Sequence, residues 1–162
     1  MTVSHATPRT AHHAVIASPG SRGLGQRLRL IGALVMAAGV LFSLAGAGTW
    51  LLVSDALGDE QITVAEDAAR FGGEHVDGPL TAYYQADIIE HHALEASEGK
   101  TYAELDREDP VRATVMNGSF LRASLFTSVV SFGVAALAMG LGLVLVLVGL
   151  AVRALGSDAA TA

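Results

Sequence analysis

The side chains best suited to chemistry lie between residues 80 and 98 of this 162-residue chain. Asp87, His91 and Glu95 recur at every fourth position, which places them on one face if the segment is a helix. A row of carboxylate, imidazole and carboxylate can hold a divalent metal. The adjacent His92 projects about 100° away around a helix, so His91 and His92 do not form a chelating pair.

A simpler interpretation of this row is a solvated helix face. The chain contains neither the His-Glu-x-x-His pattern of zinc proteases nor the Glu-x-x-His pattern of di-iron bundles. Oppositely charged groups four residues apart contribute only about 0.2–0.5 kcal/mol. We therefore expect an exposed face with weak ion pairs, and we assign no catalytic residue, no cofactor-binding residue and no cofactor. His5, His12 and His13 fall in a Pro- and Gly-containing tail, for which we predict disorder.

Two apolar runs must position these residues. They extend from Leu30 to Ser54 and from Ala123 to Val152, and neither contains a charged residue. Both exceed the roughly 20 residues that a helix needs to cross a bilayer. The sequence predicts an all-α fold: a two-helix transmembrane hairpin with a small, acidic, mainly helical extracytoplasmic segment between the spans.

The distribution of charge predicts the orientation. The first 29 residues carry four arginines and no acid, whereas residues 55–122 carry 15 acidic and five basic residues. Basic residues flanking a span favour the cytoplasmic side, so we predict a cell-membrane protein with both termini in the cytoplasm. The predicted organisation is a disordered basic tail (1–29), transmembrane helix 1 (30–54), the acidic extracytoplasmic segment (55–122), transmembrane helix 2 (123–152) and a short cytoplasmic tail (153–162).

A cleaved signal peptide is the alternative for the first run. Ala45-Gly46-Ala47 fits the small-residue pattern of a cleavage site, and cleavage after Ala47 would leave one span. The run continues to Val53, however, and its basic leader is long. We favour an uncleaved span, and in both cases the acidic segment lies outside.

Short helices are predicted within the outer segment. A capping-box pattern opens a helix over Thr63–Phe71, and a longer helix covers Leu80–Glu98 with Gly99 as its C-terminal cap. Thr101–Glu104 repeats the capping-box pattern. Asp109–Pro110 can begin a helix that either runs into the second span or pauses at the following Asn-Gly.

Small residues form stripes that favour close helix packing. In lipid, helices associate through close backbone approach and dispersion, which small side chains permit. The two spans could therefore pack on each other, on a partner, or on both. The predicted packing residues are Gly32, Gly39, Ser43 and Gly46 in the first span; Ser128, Ser131, Ala135, Ala138, Gly142 and Gly149 in the second; and Ala82, Ala86, Ile89, Ala93 and Ala96 in the outer helix.

Several function classes are excluded by composition. The runs contain no ionisable residue at membrane depth, which argues against a proton relay or a pump acting alone. The net charge of −6 and the acidic outer segment argue against nucleic-acid binding. The absence of cysteine excludes disulfides and thiolate metal sites.

Three stretches of the chain resemble a family of small bacterial two-span membrane proteins, often labelled "aromatic ring-opening dioxygenase". The resemblance covers roughly residues 50–149 and implies the same two-helix architecture. The family is functionally uncharacterised, so the resemblance implies no site residues. These stretches are Ile62–Ala68, Ala93–Leu105 and Met116–Phe126.

The label implies a chemistry that the residues do not favour. Ring cleavage by non-haem iron needs two histidines and one carboxylate with open positions for substrate and oxygen. His75, His91 and Glu95 are one conceivable set. The outer segment has few large apolar side chains to line a substrate pocket of about 300 Å³ or more. We therefore expect no enzyme.

The sequence favours an accessory or interaction component of a larger membrane assembly. The alternative is a membrane-anchored extracytoplasmic module that binds a metal or ligand, with Asp87, His91, Glu95 and His75 as its metal candidates. A ring-cleaving dioxygenase is a third alternative, suggested by the family label alone. The expected partners are the lipid bilayer and either another membrane protein or a second copy of the chain.

Overall fold

The computed structural model describes the backbone of residues 19–161 and the side chains of residues 23–158. This part of the chain forms three helices: α1 (Pro19–Asp59), α2 (Pro79–Ala96) and α3 (Arg112–Thr161). It contains no strand, only an isolated antiparallel bridge between Thr63 and His75. The predicted all-α class is therefore confirmed for these residues. By length and composition, α1 and α3 could each cross a membrane.

Helices α1 and α3 are longer than the apolar runs. With 41 and 50 residues, they extend about 60 and 75 Å. The basic segment before Leu30, predicted as a disordered tail, is helical from Pro19, and α3 continues past Val152. The prediction of disorder is wrong for residues 19–29, because α3 continues beside this part of α1 and packs against it. The predicted tail before residue 19, with His5, His12 and His13, lies outside the described residues.

The two long helices pack antiparallel along a line of glycines. A Cβ built on Gly32 would lie 2.6 Å from the carbonyl oxygen of Gly149, and one built on Gly46 would lie 2.6 Å from that of Ala135. Real Cβ atoms essentially never approach a carbonyl oxygen so closely. The absence of a side chain at these positions is therefore what allows the two backbones to meet.

Large side chains replace the glycines at the other end of the hairpin. Trp50 of α1 meets Phe132 of α3 edge to face, with ring centroids 4.7 Å apart. Leu57 and Leu125 are buried beside them. At this end the two helices therefore meet through large side chains rather than backbone against backbone. The same apolar cluster continues into the segment between the helices through Val64, Val76, Ala82 and Ala86.

The segment from residue 60 to 78 is a loop, and the predicted helix over Thr63–Phe71 is wrong. The N–H of Val64 donates to the carbonyl of Glu74, and that of Val76 donates to the carbonyl of Ile62, each at 2.9 Å. This pairing buries Val64 and Val76 completely in the shared cluster. A helix in the same place would forgo both the pairing and this burial, so tertiary packing overrides the local capping pattern.

The starts of α2 and α3 follow their sequence signals, whereas α2 ends at Ala96, before the predicted Glu98, with Ser97 as its C-terminal cap. Pro79 occupies the first turn of α2, where its missing N–H has no cost. Gly99 has a φ of +83° and donates its N–H to the carbonyl of Leu94, closing the C-terminal end. Just before α3, the side-chain carboxylate of Asp109 accepts a hydrogen bond from the backbone N–H of Val111. Helix α3 then continues through residues 117–118 without a break.

Candidate functional site

The predicted metal-binding row lies on an exposed face of α2. Nε2 of His91 lies 3.5 Å from a carboxylate oxygen of Glu95, and each side chain is about two-thirds exposed. Asp87 is also exposed, and with His91 it lines a shallow cleft. His75 lies in the loop, where it forms the bridge with Thr63. Within the described residues, no three His, Asp or Glu side chains are grouped to hold a metal.

His92, the neighbour of that row, ties the loop to α2. Its Nε2 lies 2.7 Å from Oδ2 of Asp67. This hydrogen bond is the main cause that holds the pKa of Asp67 below its usual value. Sequence reasoning missed this pair, because the two residues are 25 positions apart and no periodic pattern connects them. The contact fixes the loop on the outer surface of the helix.

A similar local bond organises the connector between α2 and α3. Glu104 accepts hydrogen bonds from the N–H and the hydroxyl of Thr101, both at 2.8 Å. The backbone N–H of Thr101 is the main cause of the lowered pKa of Glu104. The capping-box pattern at Thr101–Glu104 thus forms its side-chain contacts, although only a turn follows it.

The predicted packing residues of the two long helices fall into two groups. The first group lies in the α1–α3 contact, which we call the glycine seam; Ser43 belongs to it, since its hydroxyl lies 3.5 Å from the carbonyl oxygen of Met139. The seam also contains Gly25 and Gly156, which the sequence analysis did not include although both continue the seven-residue spacing. The full seam is Gly25, Gly32, Gly39, Ser43 and Gly46 on α1, and Ala135, Gly142, Gly149 and Gly156 on α3.

The second group lies beside the seam. The hydroxyls of Ser128 and Ser131 donate to carbonyls of their own helix, at Ser124 and Thr127, and Ala138 is half-buried. The buried face of α3 in this region instead carries large apolar side chains. The serine side chains are therefore not the groups that bring the two helices together.

Most of the small face of α2 packs on α3. Ala82 and Ala86 are fully buried in the shared cluster, and Ile89 packs against it. Ala93 lies against Gly118, where an added Cβ would stand 3.2 Å from the alanine Cβ. Ala96 is exposed, so the contact ends before it. The predicted seam of this helix thus serves a contact within the chain.

One cationic side chain stands between α2 and α3. An Nη of Arg122 lies 2.7 Å from a carboxylate oxygen of Glu90. The guanidinium carbon is 5.1 Å from the centre of the Phe126 ring. The Nε of Arg122 is buried and has no hydrogen-bond acceptor among the described residues. The sequence analysis counted Arg122 only among the five basic residues of the outer segment, because its pairing depends on how α2 docks.

A cavity of about 310 Å³ opens beside this ion pair, between α2, the connector and the first turns of α3. Comparison of the chain with protein-family models, with curated proteins and with solved structures returns no match. The geometry of the chain itself therefore carries the functional argument. Its notable features are the glycine seam, the packing of the loop and α2 against the long helices, and the cavity beside Arg122.

Proposed function

We propose that the chain is an integral membrane protein in which α1 and α3 span the bilayer as an antiparallel hairpin. We call residues 60–111, with the loop, α2 and the connector, the cap, and we place it outside the cell membrane. The charge-free runs within α1 and α3 support the spans. The arginines before the first run and the acids after it support cytoplasmic termini.

We further propose that this protein is an interaction component of a larger membrane assembly. The observation that carries this proposal is an exposed apolar pair on the outer turns of α3. Phe120 and Leu121 are 67% and 54% exposed, and they precede Arg122, outside the charge-free run. Neighbouring large apolar side chains exposed outside the lipid favour contact with another protein, as contiguous apolar patches do.

The chemistry of the partner follows from two further features. The glycine seam is occupied within the hairpin, so a partner must use another surface. Residues 55–122 carry 15 acids against five basic residues, and opposite charge favours a partner with a basic outer surface. We therefore propose a membrane protein whose basic outer segment contacts Phe120 and Leu121.

A photo-crosslinking amino acid tests this contact. Placed at Phe120, it should give one discrete adduct in native membranes, and the yield of this adduct should fall at high salt. Placed at Leu137, which is 70% exposed on the lipid-facing side, it should give none. Equal crosslinking at both positions, or none at Phe120, would contradict the proposal. Phe120→Ala should also reduce co-purification of the crosslinked partner, while Leu137→Ala should not.

Topology is tested separately with single cysteines, since the native chain has none. A cysteine at Gly99 should react with an impermeant label on intact cells, and one at Ser4 should not. The reverse pattern would overturn the orientation. The intact mass of the mature protein should include the first span; a chain that begins at Gly48 would show that the first run is a signal peptide.

We do not propose the ring-cleaving activity that the family resemblance implies. It requires two histidines and a carboxylate on one iron. His91 and Glu95 approach each other, but His75 belongs to the loop paired with Thr63. A metal analysis of the purified protein is the direct test: stoichiometric iron would reverse this choice.

A further inference from the structure

The cavity beside Arg122 has both charged and apolar walls. Arg122 and Glu90 line one part of it, and Leu94, Val115 and Tyr102 are among the residues that line the rest. Its volume of about 310 Å³ lies at the lower end of the range for small-molecule sites, about 300–1,000 Å³. A ligand that fits must therefore be small and must carry both polar and apolar groups.

The wall formed by the connector is fixed in place. The guanidinium of Arg112 stacks on the ring of Tyr102, with its central carbon 4.0 Å from the ring centre. The same guanidinium donates to the carbonyl of Tyr102 at 3.2 Å and to the carbonyl of Leu105. One stacking contact and two hydrogen bonds thus hold this wall over α3, so the cavity does not depend on a free loop.

Arg122 retains hydrogen-bonding capacity for a ligand. Within the described part of the chain, its polar contact is the ion pair with Glu90, and its Nε has no acceptor. A guanidinium carries five N–H donors in a plane, arranged to bind a carboxylate. An oxyanion in the cavity can accept from the Nη groups of Arg122, which lines it.

We propose that this cavity binds a small zwitterion with neighbouring carboxylate and ammonium groups and an aliphatic body, the chemistry of an apolar α-amino acid. Glu90 decides between a zwitterion and a simple anion. Its carboxylate repels a lone anion at Arg122, whereas it attracts an ammonium group beside that anion. The carboxylate of the ligand pairs with Arg122, its ammonium pairs with Glu90, and its aliphatic body contacts Leu94 and Val115.

Titration calorimetry on the full chain in detergent micelles tests the ligand class with three matched probes. They are L-leucine, 4-methylpentanoate, which lacks the amine, and 3-methylbutylamine, which lacks the carboxylate. L-Leucine should bind, and each of the other two should bind at least about tenfold more weakly, because each loses one charge-assisted contact. No binding of L-leucine, or equal binding of 4-methylpentanoate, would overturn the proposal.

Two variants locate the site. Arg122→Gln should weaken L-leucine binding about tenfold or more, while Arg107→Gln, which removes the same charge from the exposed connector, should not. Ala103→Leu fills the cavity from the connector and leaves the Arg122–Glu90 pair in place, so it should also reduce binding. This second variant keeps the test valid if Arg122→Gln disturbs the cap. Unchanged binding in both variants would show that the cavity is not the site.

Discussion

Helix α3 makes two contacts of opposite character along its length. Toward its C-terminal end it meets α1 through glycines, with backbone against backbone. Toward its N-terminal end it meets α1 and α2 through Phe132, Leu125 and the ring of Phe126, which stands 5.8 Å from that of Tyr83. One helix thus uses both the smallest and the largest apolar residues to hold its neighbours.

The difference follows from the surroundings that we propose for each part. Within lipid, burying an apolar side chain gains little, because the tails are as apolar as the side chain, so close approach of the backbones must supply the attraction. Outside lipid, apolar area removed from water stabilises the fold by about 25 cal/mol per Å². Large side chains are therefore effective where the outer ends of the two runs pack against the cap, as Trp50 and Phe132 do in the cluster that Val64 and Ala86 extend, and glycine is effective farther along the span.

The largest effect should come from adding a side chain to the glycine seam. A Cβ at Gly142 would lie 2.5 Å from the carbonyl oxygen of Gly39, whereas a Cβ at Gly140 meets nothing within 4 Å. Gly142→Leu should therefore destabilise the hairpin by about 1–3 kcal/mol or more, and the matched variant Gly140→Leu should cost little. Unfolding in detergent micelles measures both. Equal stability of the two variants would show that the seam does not hold the helices together.

The contact between α2 and α3 allows the same comparison outside the span. Ala86 is fully buried against α3 and Ala96 is exposed on the same helix. Ala86→Leu should destabilise the cap by about 1–3 kcal/mol, and Ala96→Leu should be nearly neutral. Limited proteolysis of residues 60–111 should report the first change while α1 and α3 stay paired. Loss of the hairpin in Ala86→Leu would mean that the two contacts are not separable.

Features that repeat along one helix could be predicted from the sequence, and features that join distant segments could not. The seven-residue spacing of Gly32, Gly39 and Gly46 is visible in the chain because one helix face carries all three. The helix predicted over Thr63–Phe71 was wrong, because burial of Val64 depends on a partner segment that no local pattern reveals. The same limit hid the cavity beside Arg122, whose walls come from α2, the connector and α3.

A smaller effect is expected at the polar contact between Ser43 and Met139 across the seam. The hydroxyl of Ser43 lies 3.5 Å from the carbonyl oxygen of Met139, at the limit of hydrogen-bond distance. Ser43→Ala keeps the small volume and should change stability by less than about 1 kcal/mol, since hydrogen bonds between membrane helices average about 0.6 kcal/mol. The measurement is the same unfolding assay. A loss as large as that of Gly142→Leu would make the hydroxyl, rather than backbone proximity, the main contact.

The smallest effect should come from the exposed pair between the loop and α2. The hydrogen bond with His92 lowers the pKa of Asp67, and the charge of His91 contributes least among the causes. A carboxyl with a lower pKa in the folded state stabilises the fold above its unfolded pKa, about 3.9, and this contribution is lost as the pH falls through the folded value. The attachment of the loop should therefore weaken only in acid, below about pH 4.

In an NMR titration of the Asp67 carboxyl, His92→Gln should raise its pKa toward the ordinary value, whereas His91→Gln should raise it less. A larger rise in His91→Gln would assign the shift to charge on the helix face, and the polar attachment of the loop to α2 would then rest on the hydrogen bond from the N–H of Ala65 to Oε1 of Gln85.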